Sequence, residues 1–230
     1  MENSSSFFWD IYSKLYDTLN LLKPYRDLHE QVLTALNLQK NETILDAGCG
    51  TGIFEKLMIE KGIDSVRVEA LDFSSAMLKR AKQKSNNHSF NFQQFDLNNK
   101  LPFPDNYFDK IISINAIYAL KDPKFAIKEF YRVLKPQGMI VITTPKYGAK
   151  ILPIFFKHLC KAKISRTLLA LPALILVGIF NVFIRERGAK KIYHFLDQQK
   201  LLNIFNEVEY LNISTSSVYA DQTWLVIGRK

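Results

Sequence analysis

The chain has 230 residues, 47% of them hydrophobic and 23% charged. This balance fits an ordinary globular protein with one sizeable core, and disorder is not the default reading. Two cysteines, Cys49 and Cys160, and no Cys/His cluster with zinc spacing argue against a disulfide framework or a metal site. The net charge of +9 is concentrated: residues 145–200 hold eleven Lys/Arg against two Asp/Glu, and the remainder carries twenty of each sign.

The N-terminal MENSSSFFWD has no basic start followed by an apolar core, so no secretory signal is expected and the cytoplasm is the simplest compartment. Residues 7–38 repeat apolar side chains at helical spacing (Phe8, Ile11, Tyr12, Leu15, Tyr16, Leu19, then Leu28, Val32, Leu33, Leu36), which predicts two helices separated by Pro24. The pattern then changes to short apolar runs alternating with helices. Strands are predicted at 43–47, 66–72, 90–95, 110–115 and 139–144. Helices are predicted at 53–61, 76–85 (capped by Ser74 or Ser75) and 123–134, with a turn at 136–138. After an interruption, a helix at 195–205 and strands at 207–214 and 223–229 complete the pattern.

Strands alternating with helices at this spacing predict an α/β three-layer sandwich. Its seven-stranded sheet is mostly parallel with an antiparallel last pair, and a helical insertion separates the fifth strand from the last helix. The whole chain reads as one domain: a helical lid (1–38), a ligand-binding core (40–145), an apolar and basic insertion (146–190) and a sheet-closing end (191–230).

The segment Ile44–Gly52 (ILDAGCGTG) carries the strongest chemical signal. A strand ending in Asp46 runs into Gly48, Gly50 and Gly52 and then into a helix. Glycines permit a sharp turn and close approach of a ligand to the main chain. The place is the carboxyl end of the first strand, where open α/β sheets bind ligands. Asp72 ends the next strand, where an acid can hold both hydroxyls of a ribose. The G-x-G-x-G spacing departs from the dinucleotide fingerprint G-x-G-x-x-G. Asp46 in front of the loop would oppose a phosphate but would suit the amino group of a methionine moiety.

Five ordered motifs extend this pattern: ILDAGCGTG, ALDFSSAML (70–78), Phe95-Asp96-Leu97, LPFPDNYFDKIISINAIYAL (101–120) and EFYRVLKPQGMIVITTP (129–145). Together they resemble the class I (Rossmann-like) methyltransferases that use S-adenosylmethionine (SAM). The broad group includes the ubiquinone/menaquinone C-methyltransferases and many small-molecule enzymes. The resemblance covers about residues 40–145. It implies SAM as cofactor, S-adenosylhomocysteine as product, and a binding site made by Asp46, Gly48, Cys49, Gly50, Thr51 and Gly52 at the loop. Asp72 would hold the ribose, Phe73 and Met77 would lie beside the adenine, and Asp96 would sit near the adenine amino group with Leu97. Asn115, and Tyr12 and Tyr16 from the lid, complete the implied set.

A sulfonium methyl is already activated, so alignment and exclusion of water do most of the work, and no motif marks a base. Tyr118, just past the fourth strand where relatives often carry a histidine, and His194 are the candidate catalytic residues. His158, Tyr147 and Tyr193 are further candidates. Each also reads as a surface or packing residue. Asn115-Ala-Ile-Tyr118 resembles the Asn-Pro-Pro-Tyr signature of nucleic-acid amino methyltransferases but lacks both prolines.

The insertion bears on the acceptor. Leu168–Ile184 is a seventeen-residue apolar run with Asn181 as its only clearly polar residue, interrupted by Pro172 and Gly178. It is short for a membrane span, and Lys/Arg flank it on both sides without an orientation signal. A true span is one reading; a lid over the active site and an interfacial hairpin on an anionic membrane through residues 150–191 are the other two. Both favour a small, apolar or lipid-like acceptor and a protein that is cytoplasmic or peripheral at a membrane. Nucleic acid is not favoured as a partner. The alternatives are an RNA methyltransferase that uses the basic insertion, or a SAM-binding, membrane-associated protein without turnover.

Overall fold

In the computed structural model, the structure describes residues 12–13, 16–85, 90–161 and 192–230, with 175, 178, 179, 182, 184, 186, 187, 189 and 190. Seven strands form one sheet in the order β3-β2-β1-β4-β5-β7-β6. They are β1 (Thr43–Ala47), β2 (Arg67–Asp72), β3 (Phe90–Gln94), β4 (Phe108–Ile114), β5 (Leu134–Pro145), β6 (Leu211–Val218) and β7 (Thr223–Arg229). Pairs among the first five strands are parallel, and β7 runs antiparallel to both β5 and β6. Helices among the described residues include α1 (Lys23–Leu36), α2 (Ile53–Glu60), α3 (Ser75–Ser85), α4 (Pro123–Val133), α5 (Ile151–Lys161) and α6 (Gln198–Glu207). This is the expected three-layer α/β sandwich, with α5 inserted between β5 and the last helix.

The alternation of strand residues builds two cores. Ile44, Val68, Ile112 and Val141 pack with Leu28 and Val32 of α1, Met58 of α2 and Leu78 of α3. Leu45, Leu71, Ile111 and Ile140 face the other way, onto Ile127 and Phe130 of α4 and Leu201 and Phe205 of α6. Strand side chains alternate by a period of two, so each buried strand serves both layers.

Local differences from the sequence expectation have physical causes. Pro24 lies in the first turn of α1, where proline is tolerated because the first-turn N–H has no partner anyway, and Tyr12, Ser13 and Tyr16 before it are helical. It is preceded by a 3-10 turn over Asp17–Leu21; the expected positions Phe8, Ile11 and Leu15 lie outside the described residues. The turn at 136–138 is a bulge inside β5, with Gln137 at φ 64 and the register shifting between Phe108 and Lys110. The last helix starts later than expected because the Asp197 carboxylate caps it, accepting from Lys200 N. That shift moves β6 four residues along, from 207–214 to Leu211–Val218. Most of the run 168–184 lies outside the described residues. Among the described residues no helix is long and apolar enough to cross a membrane.

Candidate active site

The loop after β1 is bent by three left-handed glycines, Gly48 (φ 87), Gly50 (φ 56) and Gly52 (φ 73). Two of them are also required by space. A Cβ on Gly48 would stand 2.4 Å from the Ala116 Cβ, and one on Gly52 would stand 2.9 Å from the Ala81 Cα. The loop is tied to the end of β2: Gly48 N and Cys49 N both donate to Leu71 O, at 2.8 and 3.0 Å. Asp72, the next residue, accepts from Gly50 N through Oδ2 and from Ser74 N through Oδ1, each at 2.8 Å. One carboxylate therefore fixes the crest of the loop and the turn into α3. Ser74 Oγ then caps that helix, accepting from Met77 N at 3.2 Å. Phe95 N donates to Asp72 O at 2.9 Å, which brings the third strand's end alongside.

Beneath the loop lie two buried carboxyls. Asp46 is 2% exposed and Glu55, from α2, is 1% exposed. Asp46 Oδ1 and both Glu55 oxygens lack a well-formed hydrogen-bond partner. Burial, then the charge of Glu55, pushes Asp46 well above the usual carboxylate range. Burial pushes Glu55 up to about 7. A small void lined by Asp46, Cys49, His29 and Tyr16 adjoins them. An ammonium group is the chemical complement of such a place. Burial also holds the Cys49 thiol protonated by pushing it well up, so it is no nucleophile.

The carboxyl pair gives a testable pH dependence. An unfolded chain ionises Glu55 near its ordinary 4.5, whereas the folded chain does so only at about 7. Between those values the unfolded state has lost a proton that the folded state keeps, so this group makes stability fall as pH rises. His29, lowered by burial to about 4, works the opposite way and makes stability rise from about 4 to 6.5. The difference between wild type and Glu55→Gln isolates the carboxyl. Denaturant unfolding should find the two equally stable near pH 4.5. At pH 8 the variant should be more stable by roughly 1–3 kcal/mol, the cost of an unsatisfied buried group. Equal stability at both pH values would remove the assignment.

The N-terminal segment closes on the loop through contacts that the sequence pattern does not reveal. Asp17 accepts from Thr51 Oγ1 at 2.6 Å, pairs with Lys84, and lies 3.6 Å from Arg80. Lys84 Nζ also donates to Thr51 O at 2.7 Å. Tyr16 sits over the crest, its ring 3.8 Å from where a Gly50 Cβ would be. Tyr25 OH donates to Tyr16 OH at 2.8 Å and orients it. Tyr16 is pushed up to about 12, mainly by burial, so it stays a neutral phenol and a hydrogen-bond donor. Tyr12 meets Tyr16 edge-on at 5.2 Å.

A cavity of about 670 Å³ opens above the strand ends. It brings together Tyr16, Gly48, Gly50, Asp72, Phe73 and Met77, and also Asp96, Leu97 and Asn115. Asn115 adopts φ 52 just past β4, held by Asn115 N to Thr143 O at 2.9 Å. Asp96 Oδ1 is engaged by Asn98, whose Nδ2 donates at 2.7 Å. Asp46, Cys49, Thr51 and Gly52 stand behind the loop, outside this lining, as does Tyr12. Tyr118 is also outside it: it is 4% exposed, stacked on Phe195 at 5.6 Å, and pushed well up by burial. His194 is half-buried, and its backbone N–H donates to Tyr118 O at 2.7 Å. His158 faces α1, accepting from Lys23 N at 3.1 Å, and Tyr147 is 74% exposed. Tyr193 does line the cavity, with Arg187 Nη1 donating to its hydroxyl at 3.1 Å.

A glycine loop at the first strand, an acid at the end of the second and a cavity over a 3-2-1-4-5-7-6 sheet define a class I SAM-binding fold. A family model described as "Methyltransferase domain" matches residues 45–142. Demethylmenaquinone methyltransferase of Staphylococcus epidermidis is 33% identical over 168 residues, covering 66% of this chain and 69% of that one. Malonyl-[acyl-carrier protein] O-methyltransferase of Serratia marcescens is 34% identical over 134 residues, covering 58% of this chain. The match spans about half the length of that relative (49%). A Haloferax volcanii methyltransferase solved with the Trm112 activator has the same fold, with a TM-score of 0.69 at 16% identity, covering 98% of this chain and 96% of that one. The chain belongs to the class I SAM-dependent methyltransferase family, whose cofactor is SAM.

The residues present fit that cofactor. Asp72 presents a carboxylate at the cavity beside a loop that has no side chains in the way. Asp46 lies beneath the loop beside Glu55, outside the cavity lining. Phe73, Met77 and Leu97 line the cavity with apolar side chains.

Proposed function

We propose that this protein transfers a methyl group from SAM to a small apolar acceptor of quinol or lipid type. The observation that carries the reading is the cavity wall beyond the cofactor residues. Ile114, Ala116, Ala119, Leu120, Ile192 and Tyr193 give it an apolar stretch, beside Lys121, Glu186, Arg187 and Lys190, and that stretch suits a greasy acceptor. The relatives named for demethylmenaquinone support a ring acceptor of that kind.

When bound, SAM supplies an electrophilic sulfonium methyl that an in-line nucleophile can take. The chain's own contribution is placement and shielding. Asp72 and the glycine loop would fix the ribose and methionine ends. Phe73 and Leu97 would hold the adenine, and Asn115 would set the floor past β4. Tyr16, hydrogen-bonded to Tyr25, would cover the crest and keep water out. Tyr193, pushed up by burial, stays a neutral phenol at the cavity wall.

The test is labelled-methyl transfer from SAM to a demethylated quinol in detergent, with bulk transfer RNA and a soluble amine as comparison acceptors. Label should enter the organic phase with the quinol and exceed both comparisons by at least an order of magnitude. Label that prefers RNA, or no transfer to the quinol, would overturn the reading.

A further inference from the structure

Among the described residues, most of the exposed large hydrophobics lie between β5 and α6. Among the described residues, eleven large hydrophobics are exposed, and eight of them fall within 147–192. Helix α5 is two-faced. Ile154 is buried, and His158 is held to α1 through the Lys23 N–H. On its other side Leu152, Phe156 and Leu159 are 61%, 59% and 39% exposed. Their spacing of four and three residues places them on one stripe. Further along, Ile175, Ile179 and Val182 are helical, have the same spacing, and are 66%, 49% and 52% exposed.

The charge around these stripes selects their occupant. Lys150, Lys157 and Lys190 are exposed, and the 145–200 stretch has a surplus of nine basic residues. A second copy of the chain would bring like charges together across the contact, which costs free energy. A surface that is both anionic and apolar just below its charge is the complement, and a bilayer with acidic headgroups is such a surface.

We propose that this segment docks the protein onto an anionic lipid bilayer. The α5 stripe and the 175–182 stripe enter the boundary between headgroups and acyl chains, and the lysines meet the headgroups. The segment also ends at the cavity, since Arg187, Lys190, Ile192 and Tyr193 line it. Resting on the apolar-acceptor reading, docking therefore places the cavity wall next to the bilayer from which such an acceptor comes.

Flotation with phosphatidylcholine vesicles, with and without phosphatidylglycerol, tests the proposal on the full chain. Wild type should float with the anionic vesicles at low salt, detach as salt rises, and ignore neutral ones. The exposed-site variant Leu152→Ser/Phe156→Ser should lose about tenfold or more in vesicle affinity. Lys150→Glu/Lys157→Glu should lose a similar factor, at about fivefold per lysine. Both should keep wild-type SAM affinity, which shows that they fold. Failure of wild type to float at low salt, or flotation unchanged in both variants, would overturn docking. So would a sedimenting dimer that Leu152→Ser/Phe156→Ser dissolves. Turnover of detergent-dispersed quinol separates the two readings. Turnover without vesicle binding refutes docking alone, and vesicle binding without turnover refutes the methyl-transfer reading alone.

Discussion

Replacing Asp72 with alanine is expected to weaken SAM binding roughly 100-fold, because hydrogen bonds to an ionised group contribute about 1.5–3 kcal/mol each. The carboxylate has two roles. It would accept from the ribose, and it already accepts from Gly50 N and Ser74 N at 2.8 Å. Alanine removes the ligand contacts and also frees the loop crest. Asp72→Asn keeps the shape and one acceptor oxygen, so it should fall between wild type and alanine. Equilibrium dialysis with labelled SAM reads the series, and a thermal melt confirms that each variant folds. Affinity unchanged in Asp72→Ala would displace the cofactor from this strand end.

Gly48→Ala is the second large effect. The new Cβ would stand 2.4 Å from the Ala116 Cβ, at a backbone φ of 87. Positive φ costs a side-chain-bearing residue about 1–2 kcal/mol, and overpacking adds roughly 1–3 kcal/mol. Both loop and Ala116 border the cavity, so SAM binding should be lost with the stability. The double variant Gly48→Ala/Ala116→Gly removes the overlap but not the φ strain. It should recover part of the melting temperature and part of the affinity. A single variant that binds SAM normally, or a double variant no better than the single, would show that close approach at this glycine is not what the fold needs.

The glycine loop and Asp72 were legible because chemistry and strand position coincide in a few consecutive residues. A strand running into G-x-G-x-G, with an acid at the next strand end, needs no long-range information. Glu55 was not legible: in α2 it looks like an ordinary surface glutamate of an amphipathic helix, and only the fold turns it under the loop beside Asp46. The clasp of Asp17 by Thr51, Arg80 and Lys84 joins residues up to 67 positions apart, which no local pattern encodes. Tyr118 illustrates the reverse. Its place just past β4 marked it as a catalytic candidate, yet its ring packs on Tyr193 and Phe195. The shift of β6 has a similar origin. Its burial pattern of eeieieeB offers almost no buried alternation, so the strand is set by pairing with β7 and by where α6 ends.

Occupancy of the β1–β2 strand ends by SAM is tested most directly by calorimetric titration of SAM into the wild-type protein. A single saturable site should appear, with one SAM per chain, abolished by prior S-adenosylhomocysteine and indifferent to NAD. Absence of binding heat, or NAD competing as well as S-adenosylhomocysteine does, would contradict it.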